Sequence, residues 1–191
     1  MSALAVRRVS GAELLARQND VRHVYTEAFT EPPWNASRQA AERFLRGLAE
    51  QASRSGFVAA LAFDGRTVSG FATARTTLAP LPFDGCYPQV AAALGPECTA
   101  SWLCGGREVD ELAVARAARG MGVGTALLDA VTDGARGGRC WLLTSVRARD
   151  AMAFYRRLGW SQATHPAPEG AGHAVFLGPR HPARTAVALP I

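Results

Sequence analysis

One short region of this chain limits its folding more than any other. Val109-Asp110-Glu111-Leu112-Ala113-Val114 is succeeded within a few residues by Arg119-Gly120-Met121-Gly122-Val123-Gly124-Thr125. A short apolar strand runs into three alternate glycines, and the glycines open a helix-forming run that reaches Val131. That order sets a row of backbone N–H groups at a helix N-terminus, where unsatisfied donors and the helix dipole both favour an anion. Glycine also lets a phosphate approach the main chain with no Cβ in the way. The expectation is a phosphorylated cofactor held on the backbone from Arg119 to Thr125. A glycine-rich turn with no ligand is the competing reading.

Two familiar phosphate motifs can be tested directly. A Walker loop needs a lysine followed by serine or threonine, the lysine reaching the terminal phosphates. All 21 basic residues of this chain are arginine, so that motif is excluded. A dinucleotide fingerprint needs G-x-G-x-x-G and an acidic residue closing the following strand. Gly120, Gly122 and Gly124 spell G-x-G-x-G, and no acidic residue stands at the required distance.

A second segment narrows the choice. Residues 140–146, Cys-Trp-Leu-Leu-Thr-Ser-Val, read as an apolar strand leading into Asp150-Ala151-Met152-Ala153-Phe154-Tyr155-Arg156-Arg157-Leu158-Gly159-Trp160. Taken together, the two segments resemble the Gcn5-related N-acetyltransferase (GNAT) family. Its pyrophosphate loop, Arg/Gln-x-x-Gly-x-Gly/Ala, is matched by Arg119, Gly122 and Gly124. Its second signature, a helix and turn, is matched in most positions by Asp150, Ala153, Phe154, Tyr155, Gly159 and Trp160, with one residue fewer between some of them. A strand precedes each motif, and they lie about 30 residues apart in the family's order.

The resemblance implies a mixed α+β fold. Its central sheet has six to seven mostly antiparallel strands flanked by helices, with the fourth and fifth strands splayed. It implies acetyl-CoA as co-substrate in that wedge, its pantetheine arm pairing with the backbone of Leu112, Ala113 and Val114. The pyrophosphate would rest on Arg119, Gly120, Met121, Gly122, Val123, Gly124 and Thr125, with the Arg119 guanidinium adding a charge-assisted contact. Arg116 is either a further phosphate contact or an exposed loop arginine. Tyr155 matches the family position that protonates the leaving thiolate. Asp150 is expected to cap its helix, with Asp150 and Ala153 close to the cofactor.

For the base that accepts the amine proton, the candidates are Glu108, Asp110 and Glu111, ranked Glu111 first and Asp110 second. Alternation along a strand puts Glu111 with Val109 on one face and Asp110 with Leu112 on the other. The competing reading pairs these carboxylates with arginines of a neighbouring strand. The implied activity is transfer of an acetyl group to a primary amine of a small molecule, protein or peptide by direct attack in a ternary complex. The alternatives are a non-catalytic acyl-CoA-binding module and an acyltransferase with a different acyl-CoA.

Composition agrees with one globular domain: 191 residues, 48% hydrophobic and 19% charged. Residues 1–180 are expected to form it, with 181–191 an irregular tail. Net charge is +5, but the arginines are scattered and no aromatics interleave with them, so no nucleic-acid partner is expected. No apolar run is long enough to span a bilayer and no charged-then-apolar signal begins the sequence, so the expected setting is cytoplasmic, without a membrane partner. Cys86, Cys98, Cys104 and Cys140 lack CxxC spacing and disulfide density. No metal is expected, against a competing zinc site of Cys86, Cys98, Cys104 and a histidine. A homodimer is an open option, dimers being common in the family.

Elsewhere the pattern predicts a strand over 3–9, helical spacing over 11–22 continuing to 29, and a helix capped by Asn35 or Ser37 that runs to about 53. Two strands over 56–63 and 67–75, joined at Asp64-Gly65, should lie at the centre of the sheet. Residues 76–106, with four prolines, read as a long loop carrying a short helix over 89–94 and shaping the acceptor side of the cleft. A last strand is expected over 173–177.

Overall fold

The computed structural model describes residues 4–164 and 172–187. Seven strands, β1 (Leu4–Val9), β2 (Val58–Asp64), β3 (Thr67–Thr76), β4 (Arg107–Val114), β5 (Cys140–Ser145), β6 (Ser161–Gln162) and β7 (His173–Leu177), form one sheet in the order β1-β2-β3-β4-β5-β7-β6. The pairs β1/β2, β2/β3, β5/β7 and β6/β7 are antiparallel. Strands β4 and β5 are parallel, joined by a helical crossover, so the sheet is mixed and flanked by helices as the motifs imply. Strand β4, rather than the β2/β3 hairpin, holds the central place. The chain divides into two units, Met1–Arg75 with Val109–Asp133 and Thr76–Glu108 with Gly134–Ile191.

In the first unit, β2 and β3 turn at Gly65, whose φ of +59° suits glycine, and the Asp64–Thr67 pair closes the hairpin. Helix α1 (Gly11–Ala16) opens on a capping box. Glu13 N–H donates to Ser10 Oγ at 3.1 Å, and Ser10 N–H donates back to the Glu13 carboxylate at 2.9 Å. Ser10→Ala should therefore cost about 1 kcal/mol, read as a lowered urea midpoint. The helical run expected from 11 to 29 is interrupted. Arg17 N–H turns back to Leu14 C=O at 3.0 Å, tightening the last turn of α1 before α2 (Gln18–Phe29) begins. Ser37, not Asn35, caps α3 (Arg38–Gln51), its Oγ accepting from Ala40 N–H at 3.2 Å.

These helices bury one face of the sheet. Tyr25 stacks on Phe44 at 4.4 Å between centroids, and Phe44 lies 5.6 Å from Phe71 of β3. Val21, Val24, Leu14, Leu61 and Phe71 are fully buried there. The adjacent Gly70 faces the other way, toward α6 (Val123–Thr132). A Cβ on Gly70 would come within 2.9 Å of Leu127 Cδ1 and 3.0 Å of Ala113 O, so the helix seats directly on strand backbone. At the far end of α6, the Arg8 guanidinium donates to the carbonyls of Ala130 and Asp133. A cation thus meets orphan acceptors at the negative end of the helix dipole.

In the second unit, β5 runs from Trp141↔Leu177 to Ser145↔His173 against β7. Trp141, Leu103, Val175 and Leu177 form its core, and the Trp141 indole N–H donates to Thr77 Oγ1 at 2.7 Å. The segment 76–106 is more ordered than its prolines suggest. Helix α4 (Tyr87–Leu94) has Pro88 in its first turn, α5 (Pro96–Cys98) starts on Pro96, and a π-helical turn covers Thr99–Leu103. Proline lacks only an N–H that a helix start leaves unused, so these residues begin helices instead of breaking them.

The N-cap position of helix α7 (Arg149–Arg157) is Ala148, which makes no side-chain cap, not Asp150; Asp150 lies in the first turn, too late to cap. Strand β6 is too short to show a period. The expected irregular tail instead begins with a 3-10 turn over Pro182–Ala186. His181 holds that turn, with its Nδ1 accepting from Ala183 N–H at 3.1 Å and its Nε2 at 2.9 Å from Trp102 O. Residues 1–3, which include the start of the first expected strand, and 188–191 of the tail lie outside the described residues. No helix among the described residues is long and apolar enough to cross a membrane.

Candidate active site

The glycine loop of the first unit takes the form its sequence predicts. After β4 the chain makes a 3-10 turn over Arg116–Ala118, then passes through Gly120 at φ +75° and Gly122 at φ +79°. Gly122 is left-handed and is the N-cap of α6, with no side chain to satisfy the helix's first donors. The first i→i−4 bond is Ala126 N–H to Gly122 C=O, 3.1 Å, so the N–H groups of Val123, Gly124 and Thr125 precede the ladder. A Cβ built on Gly120 or Gly122 meets nothing within 4 Å. The backbone here is therefore open to a bulky anion, and the two glycines serve conformation and access at once.

Around the loop, Arg119 donates from Nε to the Val114 carbonyl at 3.2 Å, tying the loop to the end of β4. Ala113 is buried, Leu112 and Val114 are half-buried, and Met121 is exposed. Arg116 is exposed and pairs within the same unit. Its guanidinium pairs with Glu31, and its N–H donates to Glu27 Oε1 at 2.6 Å.

The same unit contains a cavity of about 380 Å³. One stripe of α3 lines it (Ala40, Arg43, Phe44, Gly47, Leu48 and Gln51, spaced at helical intervals) together with Tyr25, Asp110 and Glu111. Alternation separates Asp110 from Glu111, yet both reach this cavity. Asp110 pairs with Arg75 of β3 at 2.9 Å, which is the neighbouring-strand pairing considered for these carboxylates. Burial raises its pKa, and Arg75 opposes the rise.

Glu111 differs. Burial, and then the charge of Asp110, push its carboxyl up to about 8, with Arg75 opposing. A carboxylate poised there exchanges protons near neutral pH, as a general base requires. Tyr25 borders the same space. Its phenol is pushed up to about 12 by burial and by the Glu111 charge, while Arg43 acts in the opposite sense.

Glu108, the third carboxylate considered, lies in the second unit and is buried. Tyr87 Oη donates to it, at 2.8 Å from Oε1 and 3.0 Å from Oε2. Tyr155, Asp150 and Ala153 also belong to the second unit, on α7. The Tyr155 ring is buried against Phe154, Phe176 and Trp160, at 5.3, 5.9 and 6.0 Å between centroids. Cys140 is buried, with its thiol pushed up to about 11. No cluster of three or more histidine, cysteine or acidic side chains able to hold a metal occurs among the described residues.

Sequence reasoning missed that Tyr25, Arg43, Phe44 and Gly47 line a cavity with Asp110 and Glu111. The available signal was Gly47 itself, a glycine inside an otherwise well-formed amphipathic helix.

Comparison with known proteins extends the likeness from motifs to the whole fold. An acetyltransferase from Thermus thermophilus superposes with a TM-score of 0.62 at 16% identity, over 93% of this chain and 98% of that one. The PaiA N-acetyltransferase of Thermoplasma acidophilum, solved in complex with coenzyme A, gives 0.59 at 14% identity over 92% and 98%. The ribosomal-protein-S18-alanine N-acetyltransferase of Escherichia coli gives 0.56 at 16% over 98% and 100%. At such identities the likeness is one of fold. No curated protein matches the sequence closely enough to count as a relative. The model of the acetyltransferase (GNAT) family matches residues 19–160, a span that takes in α3, β4, the glycine loop and the Tyr155 helix, and this chain belongs to that family.

Proposed function

We propose that this protein is an acetyl-CoA-dependent N-acetyltransferase that acetylates a primary amine by direct attack in a ternary complex. The observation that carries this reading is the first unit's pairing of two features: an uncapped, glycine-opened helix start at Gly122, and a cavity walled by a carboxylate whose pKa suits proton transfer. Acetyl-CoA supplies the activated acetyl thioester. The backbone donors of Val123, Gly124 and Thr125 would hold its pyrophosphate, and the open faces of Gly120 and Gly122 leave room for it.

Glu111 takes the proton that the amine loses as its nitrogen forms the new amide bond. Tyr155 donates to the thiolate released when the C–S bond breaks, a role assigned from the family motif. Asp110, held in place by Arg75, keeps negative charge next to Glu111 and so helps to hold its pKa high.

The test is thiol release from acetyl-CoA across a panel of primary amines. Turnover with at least one amine, and none without enzyme, supports the reading; tight CoA binding with no turnover on any amine favours a non-catalytic module instead. Tyr155→Phe should lower kcat about 10²-fold with little change in acetyl-CoA affinity. An unchanged kcat removes Tyr155 from the reaction.

A further inference from the structure

Gly47 has no evident structural reason to be glycine. It lies in the interior of the 14-residue α3, where glycine is less stable than alanine. Its φ is not among the positive ones, so the backbone does not demand it. A Cβ built there meets nothing within 4 Å, so packing does not demand it either. What glycine does at this position is leave the middle of the cavity wall empty, between Arg43 and Phe44 on one side and Leu48 and Gln51 on the other.

Arg43, exposed on α3, is the cation of this wall. Its side chain lines the cavity, and it has no ion pair among the described residues, whereas Asp110 in the same wall is matched by Arg75. Tyr25, Arg43 and Glu111 all border this space, so a cation and a carboxylate share the wall of one cavity with an aromatic group.

We infer that this cavity accepts a small primary amine that also carries a carboxylate and an apolar side group. Arg43 holds the carboxylate, the space left by Gly47 admits the side group against Phe44, and Glu111 meets the amine. The inference rests on the acetyl-transfer reading for the fate of the amine, but not for its binding. A guanidinium matches a carboxylate with two parallel N–H donors, a geometry an ammonium group cannot supply. The apolar part is served by the Tyr25–Phe44 stack. A peptide N-terminus lacks the adjacent carboxylate, so this arrangement selects a free amino acid over a protein end.

The test compares L-alanine, L-leucine and L-phenylalanine with their carboxamides. Each is titrated calorimetrically into the full chain, with and without CoA, for the wild type, Arg43→Gln and Gly47→Leu. At least one acid should bind about tenfold or more tighter than its amide. Arg43→Gln should abolish that ratio, and Gly47→Leu should weaken the larger acids about tenfold or more while sparing L-alanine. Both variants should keep the wild-type affinity for acetyl-CoA, and Gly47→Ala should raise Tm, showing that the helix tolerates a side chain. Equal binding of acid and amide, a ratio that survives Arg43→Gln, or no binding of any acid overturns the inference. Failure of acetyl-CoA to bind the wild type is a separate result, and it overturns the proposed function.

Discussion

Gly122→Asp should abolish coenzyme A binding while leaving the protein folded. Gly122 sits at φ +79° in the left-handed region, where most side chains cost about 1–2 kcal/mol and aspartate is among the better tolerated. Aspartate is also a favoured N-cap, and its Cβ meets nothing within 4 Å, so α6 should form as before. What changes is the charge. A carboxylate would occupy the donors of the first turn and repel the pyrophosphate from the place the helix start offers it. The expected loss of acetyl-CoA affinity is about 100-fold or more, with Tm within a few degrees of the wild type. Retained affinity would mean that the glycine loop is structural.

The second large effect is expected at Glu111. Its carboxyl, pushed up to about 8 by burial and by Asp110, is the active base only when deprotonated, so kcat should rise with pH and level off above about 8. Glu111→Gln keeps the shape and removes the proton acceptor. It should lower kcat by about 10²-fold or more and erase that limb of the profile. An unchanged profile would point to deprotonation by solvent.

Stability should respond in the opposite sense. Because the folded-state pKa lies above the ordinary 4.5, the stabilisation linked to the protonated group is complete below about pH 4.5 and is lost as pH rises through about 8. The glutamine variant has no such charge to bury. Its Tm should therefore gain on the wild type between about pH 5 and about pH 9, a readout independent of turnover.

The parts of the fold that could be read from the sequence are those whose cause is local. Gly120 and Gly122 stand between a strand and a helix because only glycine takes those positive φ values cheaply, and Asp64-Gly65 marks its hairpin for the same reason. Serines at helix starts also state their role, as at Ser37. Where local signals were ambiguous the reading failed. Pro88 and Pro96 look like breakers until it is known that a helix begins on them. Helical periodicity runs through Arg17 without showing that the chain turns there. Asp150 is a good cap by type, but the helix starts too early for it.

The site divides along the same line. The glycine loop is contiguous, and its conformation was legible. The cavity was not, because it depends on how α3 lies over β4. Nothing near Glu111 in sequence shows that Tyr25 and Phe44 line the same space, that Asp110 raises its pKa, or that Arg43 reaches the same wall. Strand alternation puts Asp110 and Glu111 on opposite faces and does not show that both residues border one cavity. Those facts belong to packing, and only the folded chain displays them.

Calorimetric titration of the purified protein with acetyl-CoA, with CoA as the control, decides whether the glycine loop is a cofactor site. Saturable binding of both is expected, in the micromolar range and lost in Gly122→Asp. Binding of neither by a folded wild-type protein would contradict the assignment, and the loop would then stand as a turn without a ligand.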